Sequence, residues 1–407
     1  MLTRRNFLRL LAASLGSVIA SACERAPIPT STPASSPAPR TAVPPATETA
    51  TPLPTATAEP TATATVTASQ TRINFTETAT PAAPEFVTAR GDQFYYRGAR
   101  FPIKGFNYYP KMHPWRTFNI GRWEPQVTER ELKLGVGLGA NVVRTFIDHN
   151  YSFDQAGLPF DQSFAPNERY INNLREFLDI AGRLNLKVIV TLFDSLNFAM
   201  YQPQNHWLAE EYIKAVVPQF ADDPRIFCWD LQNEPDQAVQ TVGAEPVLTF
   251  FKRVARQTRV LDPNHLQTIG WIDRARAKYF PDLNDWLDFW CFHYYDKADL
   301  LSNLVKFYKT QIPKPVLLEE FGLPTGGPGP DGRSTENDQA AHYKMVLTTL
   351  EENKMCGSAF WILLDFPVGL AGNPPITTDH PENHFGVFRL DYSEKPVCAV
   401  LRSFWRR

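Results

Sequence analysis

The sequence predicts an α/β protein: a single (β/α)₈ TIM barrel preceded by a disordered linker rich in Pro and Thr. The first observation is compositional. Residues 26–84 hold 12 of the 35 prolines and 16 threonines with almost no large apolar side chain, so they cannot form a core. The second is that residues 85–407 have a length typical of one such barrel with insertions. The third is a regular alternation of short apolar runs and longer segments with helical spacing.

Eight short runs, nearly all apolar and rich in β-branched or aromatic residues, are the predicted strands. They are Ile103–Asn107, Asn141–Phe146, Lys187–Phe193, Ile226–Gln232, Leu266–Trp271, Leu287–Phe292, Pro315–Phe321 and Ser358–Leu364. Predicted helices between and after them include Glu168–Leu184, Pro246–Leu261, Leu300–Lys309, Asn337–Asn353 and Glu394–Trp405. Buried strands that alternate with helices form parallel sheets, and eight such units predict closure into a barrel.

Two segments depart from this repeat. Phe86–Arg97 contains the turn sequence Arg90-Gly91-Asp92 between two short runs, which predicts a hairpin that closes the bottom of the barrel. The segment Ile272–Trp286 is short for a connection between two strands, so its helix is expected to be reduced.

The first 23 residues are typical of an export signal rather than of a folded element. Thr3-Arg4-Arg5-Asn6-Phe7-Leu8 resembles the twin-arginine pattern, and the apolar run Leu10–Ala22 is too short to span a bilayer of ~30 Å by itself. Ala20-Ser21-Ala22-Cys23 resembles a bacterial lipobox. We therefore expect an exported protein anchored in the membrane through lipid on Cys23, with a plain secretory leader as the alternative. Residues 24–84 would then be the spacer that holds the domain 85–407 away from the membrane.

Charge and cysteine spacing exclude several classes of function. The formal net charge of −2 argues against a nucleic-acid partner. Four cysteines outside the leader lack C-x-x-C spacing, so neither a zinc site nor a redox motif is indicated; they are Cys228, Cys291, Cys356 and Cys398. Buried free thiols are expected, with a Cys356–Cys398 disulfide as the alternative. No metal or other cofactor is expected, and the protein is expected to be a monomer.

Polar residues at the ends of the predicted strands are the candidate site, because the carboxyl ends of barrel strands carry the chemistry in this fold. Each alone has an ordinary explanation as a helix cap or a surface ion pair. Together they would converge on one mouth, and two carboxylates that meet there are typical of glycoside cleavage. The residues are Arg144, Asn233, Glu234, His293, Tyr295, Glu320 and Trp361.

Trp229-Asp230-Leu231-Gln232-Asn233-Glu234-Pro235 and Pro315-Val316-Leu317-Leu318-Glu319-Glu320-Phe321-Gly322 resemble the two signature segments of glycoside hydrolase family 5, the cellulase and mannanase family of retaining barrels. Three further matches lie in Ile103–Tyr108, Gly139–Arg144 and Phe292–Tyr295. The resemblance extends over residues 85–407. It implies hydrolysis of a β-linked polysaccharide or oligosaccharide of mannan or glucan type, most often β-1,4-linked, by double displacement with two glutamates.

The resemblance also implies roles for single residues. Glu234 corresponds to the general acid/base and Glu320 to the nucleophile. Arg144 and Tyr295 are expected to hydrogen-bond Glu320 and keep it ionised, and Asn233 to bind the 2-hydroxyl of the sugar.

Four other positions are expected to line the cleft. His293 lies beside the carboxylates, Trp361 offers a flat platform for a sugar ring, and Asn107 ends strand one. Many family members have a histidine at the end of strand three, where this chain has Asp194. Asp194 is therefore a candidate for that sugar contact, and pairing with a neighbouring side chain is its alternative.

Glu319 is adjacent to Glu320 and competes with it for the role of nucleophile. Since neighbours on a strand face opposite sides, only one of the two is expected to point into the mouth, and the family pattern favours Glu320.

Mannan, cellulose-type glucan and xyloglucan all remain possible substrates. Strand-end sequences Asn107-Tyr108-Tyr109 and Thr145-Phe146-Ile147-Asp148 favour mannan slightly. A non-catalytic carbohydrate-binding protein on a decayed barrel is the alternative function. Retention of both glutamates together with Arg144, His293 and Tyr295 argues against it.

Overall fold

The computed structural model describes residues 85–147, 165–194, 196–272, 278, 280–372 and 374–406. The predicted leader, Cys23 and the linker lie outside the described residues, so the predictions of export, lipidation and linker disorder stay predictions. Among the helices of the described part, none combines the length and the apolar character that crossing a membrane requires.

Eleven strands are present in the described residues. A three-stranded antiparallel sheet precedes the barrel: β1 (Thr88–Arg90), β2 (Gln93–Tyr96) and β3 (Ala99–Arg100). The barrel strands are β4 (Ile103–Asn107), β5 (Val142–Phe146), β6 (Lys187–Thr191), β7 (Ile226–Asn233), β8 (Leu266–Gly270), β9 (Trp290–Tyr294), β10 (Val316–Phe321) and β11 (Gly357–Phe360).

The eight barrel strands form one parallel sheet in the order β8-β7-β6-β5-β4-β11-β10-β9. At the seam between β8 and β9 the backbone N–H of Asp288 donates to Gln267 O at 3.0 Å, and that of His293 donates to Trp271 O at 2.7 Å. The barrel is therefore nearly closed, and the predicted (β/α)₈ fold is confirmed. Strand six begins three residues later than predicted, at Trp290.

Helices cover the outer face of the barrel. They are α1 (Pro125–Leu138), α2 (Glu168–Arg183), α3 (His206–Val216), α4 (Asp236–Val242), α5 (Ala244–Leu261), α6 (Leu301–Gln311), α7 (Glu336–Glu352) and α8 (Val397–Trp405). Local sequence sets some of their ends: the Asn167 side chain accepts from the backbone at the start of α2, and Thr335 and Asp338 form a capping box on α7. Within Ile272–Trp286 the structure has the short 3₁₀ helix Pro281–Asp285.

The described residues form three buried apolar clusters, and two of them hold the barrel together. The larger lies between the strands and the surrounding helices. The smaller fills the bottom, where Phe94 of β2 makes edge contacts at 5.0 Å with the rings of Phe227 and Phe289. The predicted hairpin at the bottom of the barrel is therefore present, and its buried aromatic side chain plugs the amino-terminal end of the strands.

The four cysteines of the described residues are buried free thiols. The Sγ atom of Cys356 donates to Val316 O at 3.0 Å, and that of Cys398 donates to Val387 O at 3.2 Å. The Cys356–Cys398 disulfide that the sequence left open is not formed.

Candidate active site

The predicted site residues lie at the carboxyl ends of the barrel strands. Because all eight strands are parallel, these ends open at the same face. Asn107, Arg144, Asn233, His293 and Glu320 belong to β4, β5, β7, β9 and β10, whereas Asp194, Glu234, Tyr295 and Trp361 follow β6, β7, β9 and β11.

Glu320 is buried and both of its carboxylate oxygens accept hydrogen bonds. Nη1 of Arg144 donates to Oε1 at 2.6 Å, and the hydroxyl of Tyr295 donates to Oε2 at 2.8 Å. Burial alone would lower the pKa of Arg144, but the charges of Glu319, Asp230 and Glu320 raise it well above its ordinary value. The guanidinium is therefore a permanent cation that stabilises the ionised form of Glu320.

Glu234 directly follows β7 in the left-handed backbone conformation, with φ of 47°, which costs a residue with a side chain of the order of 1 kcal/mol. The hydrogen bond from its backbone N–H to Gly270 O, at 2.7 Å, holds it there. Its Oε1 lies 2.8 Å from Nδ1 of His293. One carboxylate oxygen of Glu234 and one of Glu320 lie within 4.8 Å of each other.

His293 is fully buried among acidic groups. Burial would lower the pKa of its imidazole, but the charge of Glu320 and the contacts with Glu234 and Glu319 raise the pKa to about 9. The surrounding carboxylates therefore favour the charged form of the ring.

Asp230 is a member of the site that the sequence analysis did not assign. Its Oδ2 accepts from Nη2 of Arg144 at 2.6 Å and from Oγ1 of Thr191 at 2.8 Å, and its Oδ1 accepts from the backbone of Gly270 at 3.0 Å. Burial and the nearby Glu319 raise its pKa to about 6 against the opposing effect of Arg144. In the sequence, the signal that could have identified Asp230 was its position within the first signature segment.

The expectation that Glu319 and Glu320 face opposite sides of their strand is wrong. Oε1 of Glu319 lies 3.5 Å from Nε of Arg144, and its Oε2 lies 3.7 Å from Nε2 of His293. The cause is a shift in the register of β10 on β9 between Leu318 and Glu320, because such an irregularity interrupts the alternation of side chains. Both glutamates therefore face the inside of the barrel.

Asn233 and Asp194 form a hydrogen-bonded pair at the mouth. Oδ1 of Asn233 accepts from Nη2 of Arg144 at 3.0 Å, while its Nδ2 donates to Asp194 at 3.2 Å. The hydroxyl of Tyr109 donates to the other oxygen of Asp194 at 2.8 Å. Asp194 thus pairs with neighbouring side chains and fixes which way the Asn233 amide points.

Asn107 supports the site from below. Its Oδ1 accepts from Nη1 of Arg144 at 3.0 Å, and its Nδ2 donates to the backbone oxygens of Glu319 and Phe360. It links β4 to β5, β10 and β11 and orients the guanidinium.

Trp361 follows β11 and is only 2% exposed. Its indole Nε1 donates to Oε1 of Glu382 at 2.8 Å, a contact that the sequence did not indicate. Its ring makes edge contacts with other aromatic rings, namely those of Tyr109, Trp115 and Phe146. Its role as a sugar platform stays a prediction.

Glu234, His293 and Glu320 converge closely enough to hold a metal ion, but their protonation and their hydrogen bonds do not suit one. Metal ligation needs a neutral imidazole, whereas His293 lies among carboxylates that favour its charged form. The oxygens of Glu320 already accept from Arg144 and Tyr295. The donor set therefore fits a metal ion poorly.

The cellulase model of glycosyl hydrolase family 5 matches residues 101–365, about two thirds of the chain. The mannan endo-1,4-β-mannosidase 1 of Arabidopsis thaliana is 24% identical over 370 residues, which cover 71% of this chain and 84% of that relative.

Solved structures share the fold. An exo-β-1,4-mannosidase from an Opitutaceae bacterium has a TM-score of 0.64 at 19% identity, covering 78% of this chain and 62% of that enzyme. A β-galacturonidase from Eisenbergiella tayi has a TM-score of 0.58 at 20% identity, covering 79% of this chain and 54% of that enzyme. The chain thus spans between about half and two thirds of these enzymes, and at such identity the likeness shows the barrel alone.

Proposed function

The chain belongs to glycoside hydrolase family 5, and from that premise we propose that it is a retaining β-mannan hydrolase in which Glu234 is the acid/base and Glu320 the nucleophile. The observation that carries the proposal is the approach of these two carboxylates to within 4.8 Å at the ends of β7 and β10. Retaining glycosidases hold their carboxyl groups about 5–5.5 Å apart, whereas inverting enzymes leave about 6.5–9.5 Å for a water molecule.

The surroundings of Glu320 suit a nucleophile. A carboxylate attacks carbon only when it is ionised, and Arg144 and Tyr295 each donate to one of its oxygens. Charge-assisted hydrogen bonds of this kind stabilise the anion and fix its direction.

In the first step an oxygen of Glu320 forms a bond to the anomeric carbon while the bond from that carbon to the departing sugar oxygen breaks. Glu234 donates its proton to the departing oxygen. In the second step Glu234 takes a proton from water, the water oxygen bonds to the anomeric carbon, and Glu320 leaves as a carboxylate, so the configuration is retained.

One feature supports a mannan-type substrate. The curated relatives include mannan endo-1,4-β-mannosidases of Arabidopsis thaliana and Cryptopygus antarcticus. Mannose differs from glucose at the 2-position, and we assign the amide of Asn233, held between Arg144 and Asp194, to the 2-hydroxyl of either sugar.

Export and anchoring belong to the same proposal. A polysaccharide cannot enter a cell intact, so its hydrolase must work outside, and the leader with Cys23 would supply a tether. Metabolic labelling with a radioactive fatty acid tests this: the wild type should be labelled and Cys23→Ser should not. Label on neither protein would remove the anchor from the proposal.

Azide rescue tests the catalytic assignment. Dinitrophenyl β-mannobioside has a leaving group that needs no acid, so azide can replace the missing carboxylate. Glu320→Ala should be inactive and should yield α-mannobiosyl azide when azide is added, whereas Glu234→Ala should yield β-mannobiosyl azide. The surface variant Glu211→Gln, which loses only an exposed contact with Lys214, should behave as wild type.

Digestion of β-mannan, β-1,4-glucan, xyloglucan and laminarin, with sizing of the products, tests the substrate class. We expect more sugar to be released from β-mannan than from any of the other three polysaccharides. Binding of mannan without any cleavage would instead favour the non-catalytic carbohydrate-binding protein, and rescue in Glu319→Ala rather than Glu320→Ala would overturn the choice of nucleophile.

A further inference from the structure

Glu319 is a buried carboxylate that the double displacement does not use. Within the described part of the chain neither of its oxygens has a hydrogen-bond partner, and its side chain is fully buried. A buried carboxylate without hydrogen bonds is costly unless opposite charge lies close. The nearest cations are Arg144, 3.5 Å away, and His293, 3.7 Å away.

The two nitrogens of His293 face carboxylates on opposite sides of the ring. Nδ1 lies 2.8 Å from Oε1 of Glu234, and Nε2 lies 3.7 Å from Oε2 of Glu319. A neutral imidazole carries one proton, so one of its nitrogens would turn a lone pair toward an anion or toward the acid/base. Only the imidazolium presents N–H on both sides.

We propose that Glu319 is a positioning residue for the acid/base: its carboxylate keeps His293 protonated on both nitrogens and oriented so that Nδ1 donates to Glu234. The inference rests on the proposed role of Glu234. An imidazolium cannot take the proton of Glu234, and its N–H stabilises the carboxylate that forms as that proton passes to the departing sugar oxygen. A neutral His293 with an unprotonated Nδ1 would instead compete for it.

The backbone makes room for this contact at two places. The register shift in β10 brings Glu319 inside the barrel. On β8, Gly270 leaves open the space that a Cβ atom would fill: such an atom would lie 2.9 Å from Oε2 of Glu319, 3.1 Å from Nη2 of Arg144 and 3.2 Å from Nε2 of His293. A larger residue at position 270 would push the three side chains apart.

Other charged groups face the pair from the neighbouring strands. Oε2 of Glu320 lies 3.5 Å from Nδ1 of His293, and Arg144 with Asp230 flanks Glu319. The thiols of Cys228 and Cys291 also lie near Glu319, and their pKa values are raised by burial first and by its charge second. Because Glu234 and Glu320 remain when Glu319 is neutralised, the loss of protonation at His293 should be partial.

Nuclear magnetic resonance of ¹⁵N-histidine in the full-length resting protein tests the proposal, with the His293 signal assigned by its absence in His293→Asn. In the wild type at pH 7 both ring nitrogens should show imidazolium shifts. In Glu319→Gln, which keeps the volume and removes the charge, the His293 titration should move down by more than about one pH unit. Glu319→Asp keeps the charge and should stay closer to the wild type.

The control is Glu131→Gln, which removes another buried carboxyl that bonds Tyr108 and Tyr392 instead of His293. His293 should titrate there as in the wild type. A titration in Glu319→Gln that matches this control would overturn the proposal, and so would a neutral His293 in the wild type at pH 7, which needs no variant to fold.

Kinetics give a second readout. At a pH between the two His293 titrations, where the ring is charged in the wild type and neutral in Glu319→Gln, the variant should have a kcat on mannan lower by about 10-fold or more, with KM within about 2-fold, because the change acts on proton transfer rather than on sugar binding. If kcat/KM fell by the same factor because KM rose while kcat stayed unchanged, the result would contradict a positioning role for Glu319. The magnetic resonance experiment uses no substrate. If the wild type hydrolyses none of the polysaccharides, the proposed function is overturned, but the titration of His293 still tests the role of Glu319.

Discussion

The hydroxyl of Tyr295 donates a 2.8 Å hydrogen bond to Oε2 of Glu320, the carboxylate oxygen that Arg144 does not hold. A hydrogen bond to a charged group contributes about 1.5–3 kcal/mol. Tyr295→Phe should therefore lower kcat/KM for a β-mannoside about 10- to 100-fold with little change in Tm. Steady-state kinetics on dinitrophenyl β-mannobioside would measure it.

The neighbouring tyrosine supplies the matched control. The hydroxyl of Tyr294 donates to the backbone oxygen of Lys297. Tyr294→Phe should keep wild-type turnover. Equal kinetics in the two variants would show that the hydrogen bond to Glu320 does not contribute to the reaction.

The raised pKa of His293 predicts a dependence of stability on pH. Its pKa rises from 6.5 to about 9 on folding, so its contribution is fully present below pH 6.5 and is lost as the pH rises through about 9. The contribution at pH 6.5 is of the order of 3 kcal/mol. The difference in unfolding free energy between the wild type and His293→Asn should therefore shrink steadily from pH 6.5 to pH 9.5.

Denaturant unfolding at four or five pH values in this range would test the prediction. The pKa of Asp230 is raised to about 6, and its contribution is lost in the same direction but at lower pH, so it does not interfere above pH 6.5. A difference between the two proteins that stays constant with pH would mean that His293 binds no extra proton in the folded state.

The strand ends and the two signature segments were sufficient to predict most of this site. A parallel barrel brings the carboxyl ends of its strands together whatever the details of packing. Arg144, Glu234, His293 and Glu320 could therefore be placed in one cluster from their positions along the chain alone, and the structure has them in direct contact.

The irregularities of two strands could not be predicted. The register of β7 on β8 shifts between Asp230 and Asn233, and that of β10 on β9 shifts between Leu318 and Glu320. Period-two alternation holds only for a regular strand, so it could not place Glu319 or Asp230 beside Arg144. Gly270 on β8 lies next to both residues, and the need for a glycine there could be inferred only from the side chains that surround it in the structure.

Lys395 and Asp365 form a buried ion pair that ties the loops above the barrel together. Nζ of Lys395, a residue only 2% exposed, donates to Asp365 at 2.9 Å and to Oγ1 of Thr325 at 2.9 Å. Removing one partner of a buried pair costs about 3–5 kcal/mol because the other charge stays unpaired. Lys395→Met should destabilise by about that amount in denaturant unfolding, and Lys395→Met with Asp365→Asn should recover part of the loss.

An exposed pair gives the comparison. Lys252 and Asp282 are 2.6 Å apart but largely open to solvent, where an ion pair contributes about 0–1 kcal/mol. Lys252→Met should therefore change the unfolding free energy little. If Lys252→Met lowers the unfolding free energy as much as Lys395→Met does, burial does not explain the contribution of the Lys395–Asp365 pair.

Substitution of Phe94 would test whether packing at the bottom of the barrel affects turnover at the carboxyl ends of the strands. Its ring is completely buried and contacts Phe227 and Phe289, so Phe94→Ala should leave a cavity and cost about 3–5 kcal/mol. The adjacent Tyr95 is only partly buried, and Tyr95→Ala should cost less. Below the unfolding transition both variants should keep wild-type kcat, because the hairpin contacts the amino-terminal ends of the strands and the glutamates lie at the carboxyl ends. A fall in kcat for Phe94→Ala measured on folded protein would show that the plug also sets the geometry of the mouth.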